Sequence, residues 1–289
     1  MAKPFVNPFV SGQFLELRVD ALVSDGRGLG RHDGVVVLVE DALPGQLVRA
    51  RVAAVRKSLA EAALVEVLER SPDEQEPPCP HAGRCGGCSW QSLAYGRQLA
   101  WKERIVHDAL ERVGKVACPP MLPILPSPSE WGYRNKMEFA FGVSGDGGKA
   151  LGLRERGSRN IVEVTGCLLQ TPLTMRVLEA VRMLSNGAFH DLDGRFLVVR
   201  EPNAGGCFVE LIVGAGGSLE AGERFAEALR AETPEVTGFA LSERLAPSDV
   251  AYGERALYAD GRLEERIGDV RLQMGHNAFF QVNTPAAEL

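Results

Sequence analysis

The 289-residue chain is 45% hydrophobic and 24% charged, with a net charge of -6. It contains no run of 18 apolar residues and no apolar stretch of signal-peptide length near its N-terminus, which argues against a membrane protein. We therefore expect a cytoplasmic, monomeric, globular protein of two or three domains with no membrane partner.

The acidic charge is unevenly distributed along the chain. Residues 218–289 contain 7 basic and 13 acidic residues, whereas the preceding 217 residues contain 25 of each. The net charge therefore leaves a nucleic-acid-binding face possible in the N-terminal three quarters of the chain.

Residues 1–70 have the pattern of a small all-β barrel. Short strands are predicted at residues 14–19, 35–39, 47–55 and 64–68, and the glycine-rich residues 25–31 predict a hairpin turn. Gly26, Gly28 and Gly30 form GxGxG instead of the GxGxxG dinucleotide fingerprint, and strands follow them.

Basic residues in this predicted barrel allow two interpretations. Arg49, Arg51, Arg56 and Lys57 could follow a phosphate backbone, or they could form the solvated face of an ordinary barrel. Charge alone favours the second interpretation. Residues 25–31, the turn at 43–45 and these basic residues nevertheless resemble a TRAM domain, an OB-like barrel with which several RNA-modifying enzymes hold RNA.

A polar, proline-rich stretch at residues 71–78 predicts a linker, and three cysteines follow it at C-x5-C-x2-C spacing. These are Cys79, Cys85 and Cys88, with two glycines before the last thiol. In a reducing compartment such spacing favours a metal or an iron-sulfur cluster over disulfides. The spacing does not decide between a zinc site and a cluster, and C-x5-C-x2-C differs from the C-x3-C-x2-C typical of radical enzymes.

Residues 79–275 are predicted to form an α+β domain. A packing helix is expected at 91–113, with Leu99, Val106, Leu110 and Val113 near helical spacing and Gly114 as its C-cap. Further helices are predicted at residues 172–184 and 219–231. The predicted strands are residues 131–142, 151–154, 161–164, 196–200, 208–213, 236–241 and 270–274.

Four motifs in order resemble those of the uracil-5 RNA methyltransferases with a TRAM domain and a 4Fe-4S cluster, which act mainly on 23S ribosomal RNA. They are the cysteine loop 79–91, Gly-Tyr-Arg-Asn-Lys at 132–136, Gly166-Cys167, and Phe-Phe-Gln-Val-Asn at 279–283. The resemblance extends from about Gly12 to the last residue.

The resemblance implies roles for individual residues. Cys79, Cys85, Cys88 and Cys167 would bind the 4Fe-4S cluster. Arg134 and Lys136 would face RNA, and Gln281, on a strand at 279–283, would contact S-adenosylmethionine, whose site is incomplete in this chain. In such enzymes a cysteine thiolate attacks C6 of a flipped-out uracil, and C5 then accepts the methyl group.

The chain ends where the family continues into its Rossmann-like methyltransferase domain. Residues 276–289 would be the start of that domain, and no residue of this chain is assigned a catalytic role. Cys118 and Cys207 are expected to be packing thiols. We therefore expect a truncated RNA (uracil-5-)-methyltransferase that is inactive alone; the alternative is a non-catalytic RNA-binding module with a structural metal or iron-sulfur site.

Overall fold

The computed structural model describes residues 7–145, 147–214 and 217–289. The first six residues of the predicted barrel domain therefore lie outside the described residues. The chain divides into two compact units. The first comprises Met1–Gly83 and Cys88–Pro126, and the second comprises Arg84–Gly87 and Ser127–Leu289.

The first unit contains a closed five-stranded barrel, which confirms the predicted architecture. Its strands run in the order β1-β2-β3-β5-β4, and only the β3–β5 pair is parallel. The side chains of Leu15, Leu17 and Val19 alternate into the barrel core, as a half-buried strand requires. The strands are β1 (Phe14–Leu22), β2 (Gly28–His32), β3 (Val35–Glu40), β4 (Leu47–Val55) and β5 (Leu59–Glu69).

Strand β2 corrects the prediction of a plain turn at residues 25–31. The backbone turns at Gly26, where φ is +94°, but residues from Gly28 onward pair with both β1 and β3. A Cβ atom at Gly30 would lie 2.3 Å from the carbonyl oxygen of Arg18. Glycine is therefore required here by the close approach of a neighbouring strand, which the sequence pattern did not reveal.

Residues 71–78 are bound to the barrel instead of forming a bare linker. The buried Ser71 donates its hydroxyl to the carbonyl of Pro44 at 2.6 Å, and Gln46 Nε2 donates to the carboxylate of Glu74 at 2.8 Å. Contacts also group Cys88–Pro126 with the barrel, whereas the sequence assigned these residues to the central domain.

Helix α1 spans Tyr95–Asp108 and continues as a π-helical turn, Ala109–Val113, closed by Gly114. The predicted start at residue 91 was four residues too early. Trp101 is buried against Leu22, Leu43 and Leu93, but Val113 is 81% exposed. Ile105 packs against the same cluster, whereas Val106 and Leu110 are exposed, so the helix packs through its earlier turns.

The second unit is built on a seven-stranded sheet with the order β12-β11-β10-β9-β6-β7-β8. Neighbouring strands are antiparallel except β10 and β11. The strands are β6 (Lys136–Val143), β7 (Lys149–Arg154), β8 (Ile161–Val162), β9 (Gly194–Arg200), β10 (Cys207–Val213), β11 (Val236–Glu243) and β12 (Arg255–Asp260).

Helices α2 (Pro172–Asn186) and α3 (Leu219–Glu232) pack on one face of this sheet. Each begins at a side-chain cap, since Thr171 accepts the Thr174 amide and Ser218 accepts the Ala221 amide. The fully buried core between helices and sheet includes Phe139, Val177, Val209, Phe225 and Phe239. Helices and strands mix as predicted, and the iron-sulfur role of this region stays a prediction.

The last part of the chain forms a hairpin of β13 (Leu263–Ile267) and β14 (Val270–Met274), followed by the short helix α4 (Thr284–Ala287). Strands β12 and β13 were not predicted. The strand predicted at residues 279–283 is absent, because side chains and isolated backbone groups take the hydrogen bonds that a neighbouring strand would take. Within the described ranges no helix is long and apolar enough to cross a membrane.

Candidate functional site

The middle of the cysteine loop, Arg84–Gly87, pairs with the end of β7 in the second unit. The Gly86 amide donates to the carbonyl of Arg154, and the Arg156 amide donates to the carbonyl of Arg84, both at 2.9 Å. Cys85 forms an antiparallel bridge with Glu155. The middle of the loop is therefore fixed by main-chain hydrogen bonds to residues 154–156.

Glu155 also holds this part of the loop through its side chain. Its carboxylate accepts hydrogen bonds from Ser158 and Asn160 and forms an ion pair with Arg84 at 3.3 Å. The hydrogen bonds from Ser158, Asn160 and Arg84 lower the pKa of this carboxyl group.

The thiols of Cys85 and Cys167 are half-buried and pack against the same apolar core of the second unit. The Gly87 amide lies 3.4 Å from Cys85 Sγ and donates to it. Amide donors to cysteine sulfur stabilise a thiolate, as at iron-sulfur clusters. The surroundings of Cys85 Sγ are therefore suited to a thiolate that binds a metal or a cluster.

Cys79 and Cys88 belong to the first unit, so the four predicted ligands are divided between the two units. Both are half-buried. Across residues 7–145, 147–214 and 217–289, no group of three or more His, Cys, Asp or Glu residues is placed to hold a metal ion. Four cysteines are nevertheless a donor set that suits zinc or an iron-sulfur cluster, and the ligand assignment stays a prediction.

The other two cysteines lie outside this loop. Cys207 is fully buried in β10, and burial raises the pKa of its thiol to about 12. A thiol that remains neutral at physiological pH is a poor nucleophile, in agreement with the expected packing role. Cys118 lies in an extended connector without helix or strand.

Arg134 and Lys136, the predicted RNA contacts, lie immediately before and at the start of β6. The Arg134 amide donates to the carbonyl of Leu169, and its side-chain Nε is buried without a hydrogen-bond partner among the described residues. Lys136 Nζ forms an ion pair with Glu138 at 2.5 Å. Arg134 therefore retains an unused donor, whereas the charge of Lys136 is already paired.

Between these two residues, Asn135 connects the 132–136 motif to the 279–283 motif. Its side-chain amide donates to the carbonyl of Gln281 at 2.9 Å and to the hydroxyl of Thr284 at 2.7 Å. Its backbone amide donates to the carbonyl of Val282 at 2.9 Å. Two motifs almost 150 residues apart thus meet at one side chain, which the sequence interpretation had not singled out.

Glu265 on β13 completes this network and is only 1% exposed. Its Oε1 accepts the backbone amides of Asn203 at 2.6 Å and Arg266 at 2.9 Å. Its Oε2 lies 3.4 Å from both Asn135 Nδ2 and the Thr284 hydroxyl. A buried carboxylate is tolerated only with such donors. Nothing in the sequence distinguished Glu265 from the half-buried Glu264 beside it.

Gln281, the predicted cofactor contact, is exposed in irregular backbone just before α4. Asn283 caps that helix by accepting the Ala286 amide at 3.1 Å, and its own amide donates to the Ser127 hydroxyl at 2.9 Å. Phe279 is 84% exposed. Hydrogen bonds thus fix the backbone of the motif, while the side chains of Phe279 and Gln281 face solvent.

A cleft of about 250 Å³ adjoins this network. Arg134 and Asn135 line it together with Thr171, Glu201 and Asn283. The Glu201 carboxylate already accepts hydrogen bonds from the hydroxyls of Thr171 and Thr174. The unused donor in its wall is Arg134 Nε, which suits an anionic or carbonyl-bearing ligand.

The basic residues of the barrel are mostly paired with acids. Arg49 lies 2.8 Å from Glu16 and 2.9 Å from Glu66, and Arg56 lies 3.3 Å from Glu61. These pairs support the interpretation of an ordinary solvated face for Arg49 and Arg56.

Comparison with known proteins adds to this geometry. Residues 8–65 match the TRAM domain family. The match covers β1 to β4 and most of β5, so the barrel is similar to a TRAM domain. A protein of Nitratidesulfovibrio vulgaris named "Uncharacterized RNA methyltransferase" is 45% identical over 97% of this chain and 63% of its own length. A protein of Synechocystis named "Uncharacterized RNA methyltransferase sll1967" is 32% identical over 96% of this chain and 62% of its own length. The chain thus spans less than two thirds of these relatives.

A solved structure has a similar fold. The tRNA (uracil-54, C5)-methyltransferase of Pyrococcus abyssi, in complex with S-adenosyl-L-homocysteine, matches 94% of this chain and 62% of its own with a TM-score of 0.69. The sequence identity is 23%, so the likeness establishes a common fold and no more than that.

Proposed function

We propose that this chain takes part in S-adenosylmethionine-dependent C5 methylation of a uridine in RNA, as a portion of an RNA (uracil-5-)-methyltransferase. The observation that carries the proposal is the junction at Asn135, where the 132–136 and 279–283 motifs meet. The TRAM domain and the relatives named RNA methyltransferases support it.

Within this reaction the described residues bind and orient. Gln281 would contact S-adenosylmethionine, which supplies the methyl group when bound. Arg134, which lines the neighbouring cleft, would contact RNA through its guanidinium group. Cys207 is not assigned as the nucleophile, because burial raises the pKa of its thiol to about 12.

Filter binding of labelled S-adenosylmethionine and of RNA tests these roles. Gln281→Ala should weaken cofactor binding and leave RNA affinity unchanged, while Arg134→Ala should do the reverse. Arg159→Ala, in an exposed turn, serves as the matched control for Arg134. RNA binding without any cofactor binding would favour the alternative of a non-catalytic RNA-binding module.

We further propose 23S ribosomal RNA as the substrate. Transfer RNA is the second candidate, since the fold neighbour from Pyrococcus abyssi is named as a tRNA enzyme. Competition between ribosomal and transfer RNA, measured at several salt concentrations, separates specific from electrostatic binding. Incorporation of labelled methyl groups by the 289-residue chain alone would contradict the expectation that it is inactive by itself.

A 4Fe-4S cluster bound by Cys79, Cys85, Cys88 and Cys167 is part of the same proposal. The cysteine donor set and the Gly87 amide at Cys85 Sγ support it. Iron and acid-labile sulfide should both be present after anaerobic purification. Cys167→Ser should lose them, and Cys118→Ser, which alters a cysteine outside the set, should not. Zinc without sulfide would overturn the cluster assignment.

A further inference from the structure

The segment from His276 to Asn283 has no helix or strand, yet polar groups of the second unit hold it along its length. The buried Arg200 donates from Nη2 to the carbonyl of Ala278 at 2.6 Å, and Asn277 donates to the carbonyl of Gly253 at 2.9 Å. Irregular backbone that is fixed in this way resembles a built binding loop more than a connector.

Asn135 provides the next anchors after Ala278. The carbonyls of Gln281 and Val282 both accept hydrogen bonds from Asn135, the first from its side chain and the second from its backbone. The same side chain reaches Thr284, the first residue of α4. Asn135 therefore fixes the main chain directly after the Gln281 side chain, while Arg200 fixes it three residues before, at Ala278.

Glu265 in turn fixes Asn135. Its buried Oε2 faces the Asn135 amide, while its Oε1 is held by the backbone amides of Asn203 and Arg266. An asparagine whose amide faces a carboxylate has a defined orientation, with its NH2 group toward the acceptors. Glu265, a residue of the same unit, thus sets the orientation of the Asn135 side-chain amide.

The stability of the fold does not explain why Glu265 and Asn135 form this polar network. A buried carboxylate that hydrogen-bonds a partly buried amide stabilises a fold less than an apolar cluster of the same size would. The side chains they leave outward, Phe279 and Gln281, are exposed and contribute little to the core. Preorganising a contact for a ligand is a physical reason to retain such a network.

We infer that Asn135 is a positioning residue, whose side-chain amide holds the backbone around Gln281 so that the Gln281 side chain faces the methyl donor. This inference rests on the proposed function only for the identity of the ligand. The positioning itself is a property of the chain and can be measured without any methyl transfer.

Amide hydrogen exchange of the full chain tests the positioning. Asn135→Asp retains the shape but removes the NH2 donors, so exchange in residues 278–287 should accelerate about tenfold. Asn186→Asp, an exposed asparagine at the end of α2, is the control and should change nothing there. Adding Glu265→Gln to Asn135→Asp supplies a new donor toward residue 135 and should restore part of the protection.

Unchanged exchange in Asn135→Asp would overturn the inference, as would equal acceleration throughout the second unit. If Asn135→Asp does not fold, Thr284→Val removes one acceptor of the Asn135 amide and should give a smaller acceleration in the same peptides.

Binding of labelled S-adenosylmethionine provides the second readout. Asn135→Asp and Gln281→Ala should each weaken binding about tenfold, although Asn135 is less exposed than Gln281. A wild-type chain that binds no S-adenosylmethionine, but whose segment loosens in Asn135→Asp, would remove the ligand assignment and leave the positioning role intact.

Discussion

The barrel of the first unit and the Asn135 network of the second unit use polar groups in opposite ways. On the barrel, Arg49 meets Glu16 and Glu66 on the solvated surface, and the interior is apolar. In the second unit the Glu265 carboxylate is inside, at 1% exposure. Exposed ion pairs contribute little to stability, whereas a buried carboxylate is stable only with its full set of donors. Only the second arrangement fixes a backbone segment in place.

The largest expected effect comes from removing the buried carboxylate. Glu265→Ala leaves the amides of Asn203 and Arg266 and the side chain of Asn135 without their acceptor, so we expect a loss of about 3 kcal/mol in unfolding free energy. Urea denaturation measures it. Glu264→Ala, whose side chain is on the surface and pairs with Arg271, is the matched control and should leave the midpoint nearly unchanged.

The next largest loss of stability is expected in the barrel, where two strands approach each other closely at Gly30. The Cβ of Gly30→Ala would lie 2.3 Å from the Arg18 carbonyl oxygen and 2.9 Å from Leu17, which should cost about 2 kcal/mol through strand displacement. Thermal denaturation checks this loss. Gly96→Ala in α1 meets no atom within 4 Å and should be neutral or slightly stabilising. Equal stability of the two variants would contradict the steric argument.

The partly buried ion pair between Arg230 and Asp260 should contribute less to the free energy of unfolding than Glu265 or Gly30. Hydrogen bonds from Arg230 lower the pKa of Asp260, which also accepts the Tyr258 hydroxyl and the Phe239 amide. Because the pKa is lowered on folding, the stabilisation is present above the unfolded-state pKa of about 4 and disappears as pH falls through the lower folded-state value.

Asp260→Asn should therefore destabilise the chain by about 1 kcal/mol near neutral pH. The difference from the wild type should narrow below about pH 4 in chemical denaturation followed at several pH values. A difference that stays constant down to low pH would show that the carboxylate charge is not responsible.

The smallest effect is expected on the barrel surface. Glu16 holds the pKa of Arg49 above its ordinary value through a hydrogen bond, but both side chains are about half exposed and solvent screens the pair. Arg49→Gln should leave the thermal midpoint unchanged. A clear drop would mean that the surface pairs act as a network and that the comparison with Glu265 is too simple.

The periodicity of apolar residues predicted the regular strands well, but it missed a strand that contains glycines. The bounds of β4 and β14 agree with the predicted residues 47–55 and 270–274, because alternating patterns and flanking turns define them locally. Strand β2 was missed, since its glycines are explained by contacts with distant residues such as Arg18. The apolar spacing at Val106, Leu110 and Val113 predicted the helix, but spacing alone does not say what these side chains pack against, and all three are exposed.

The candidate site was found through motif resemblance, and its geometry was not predictable from the residues. Gln281 and Arg134 were named by motif, but the strand predicted around Gln281 is replaced by irregular backbone. Asn135 and Glu265 carry no pattern of their own. Their importance appears only when residues far apart in sequence meet, because hydrogen-bond partners depend on the tertiary fold.

The interleaving of the two units affects any attempt to produce one without the other. Arg84–Gly87 belongs to the second unit but lies within the sequence of the first. Expression of a polypeptide starting at Ser127 would omit the stretch whose amide donates to Arg154, exposing the end of β7. A usable recombinant half therefore requires residues 84–87 to be grafted through a short flexible peptide, and a simple cut near residue 126 should yield an aggregation-prone product.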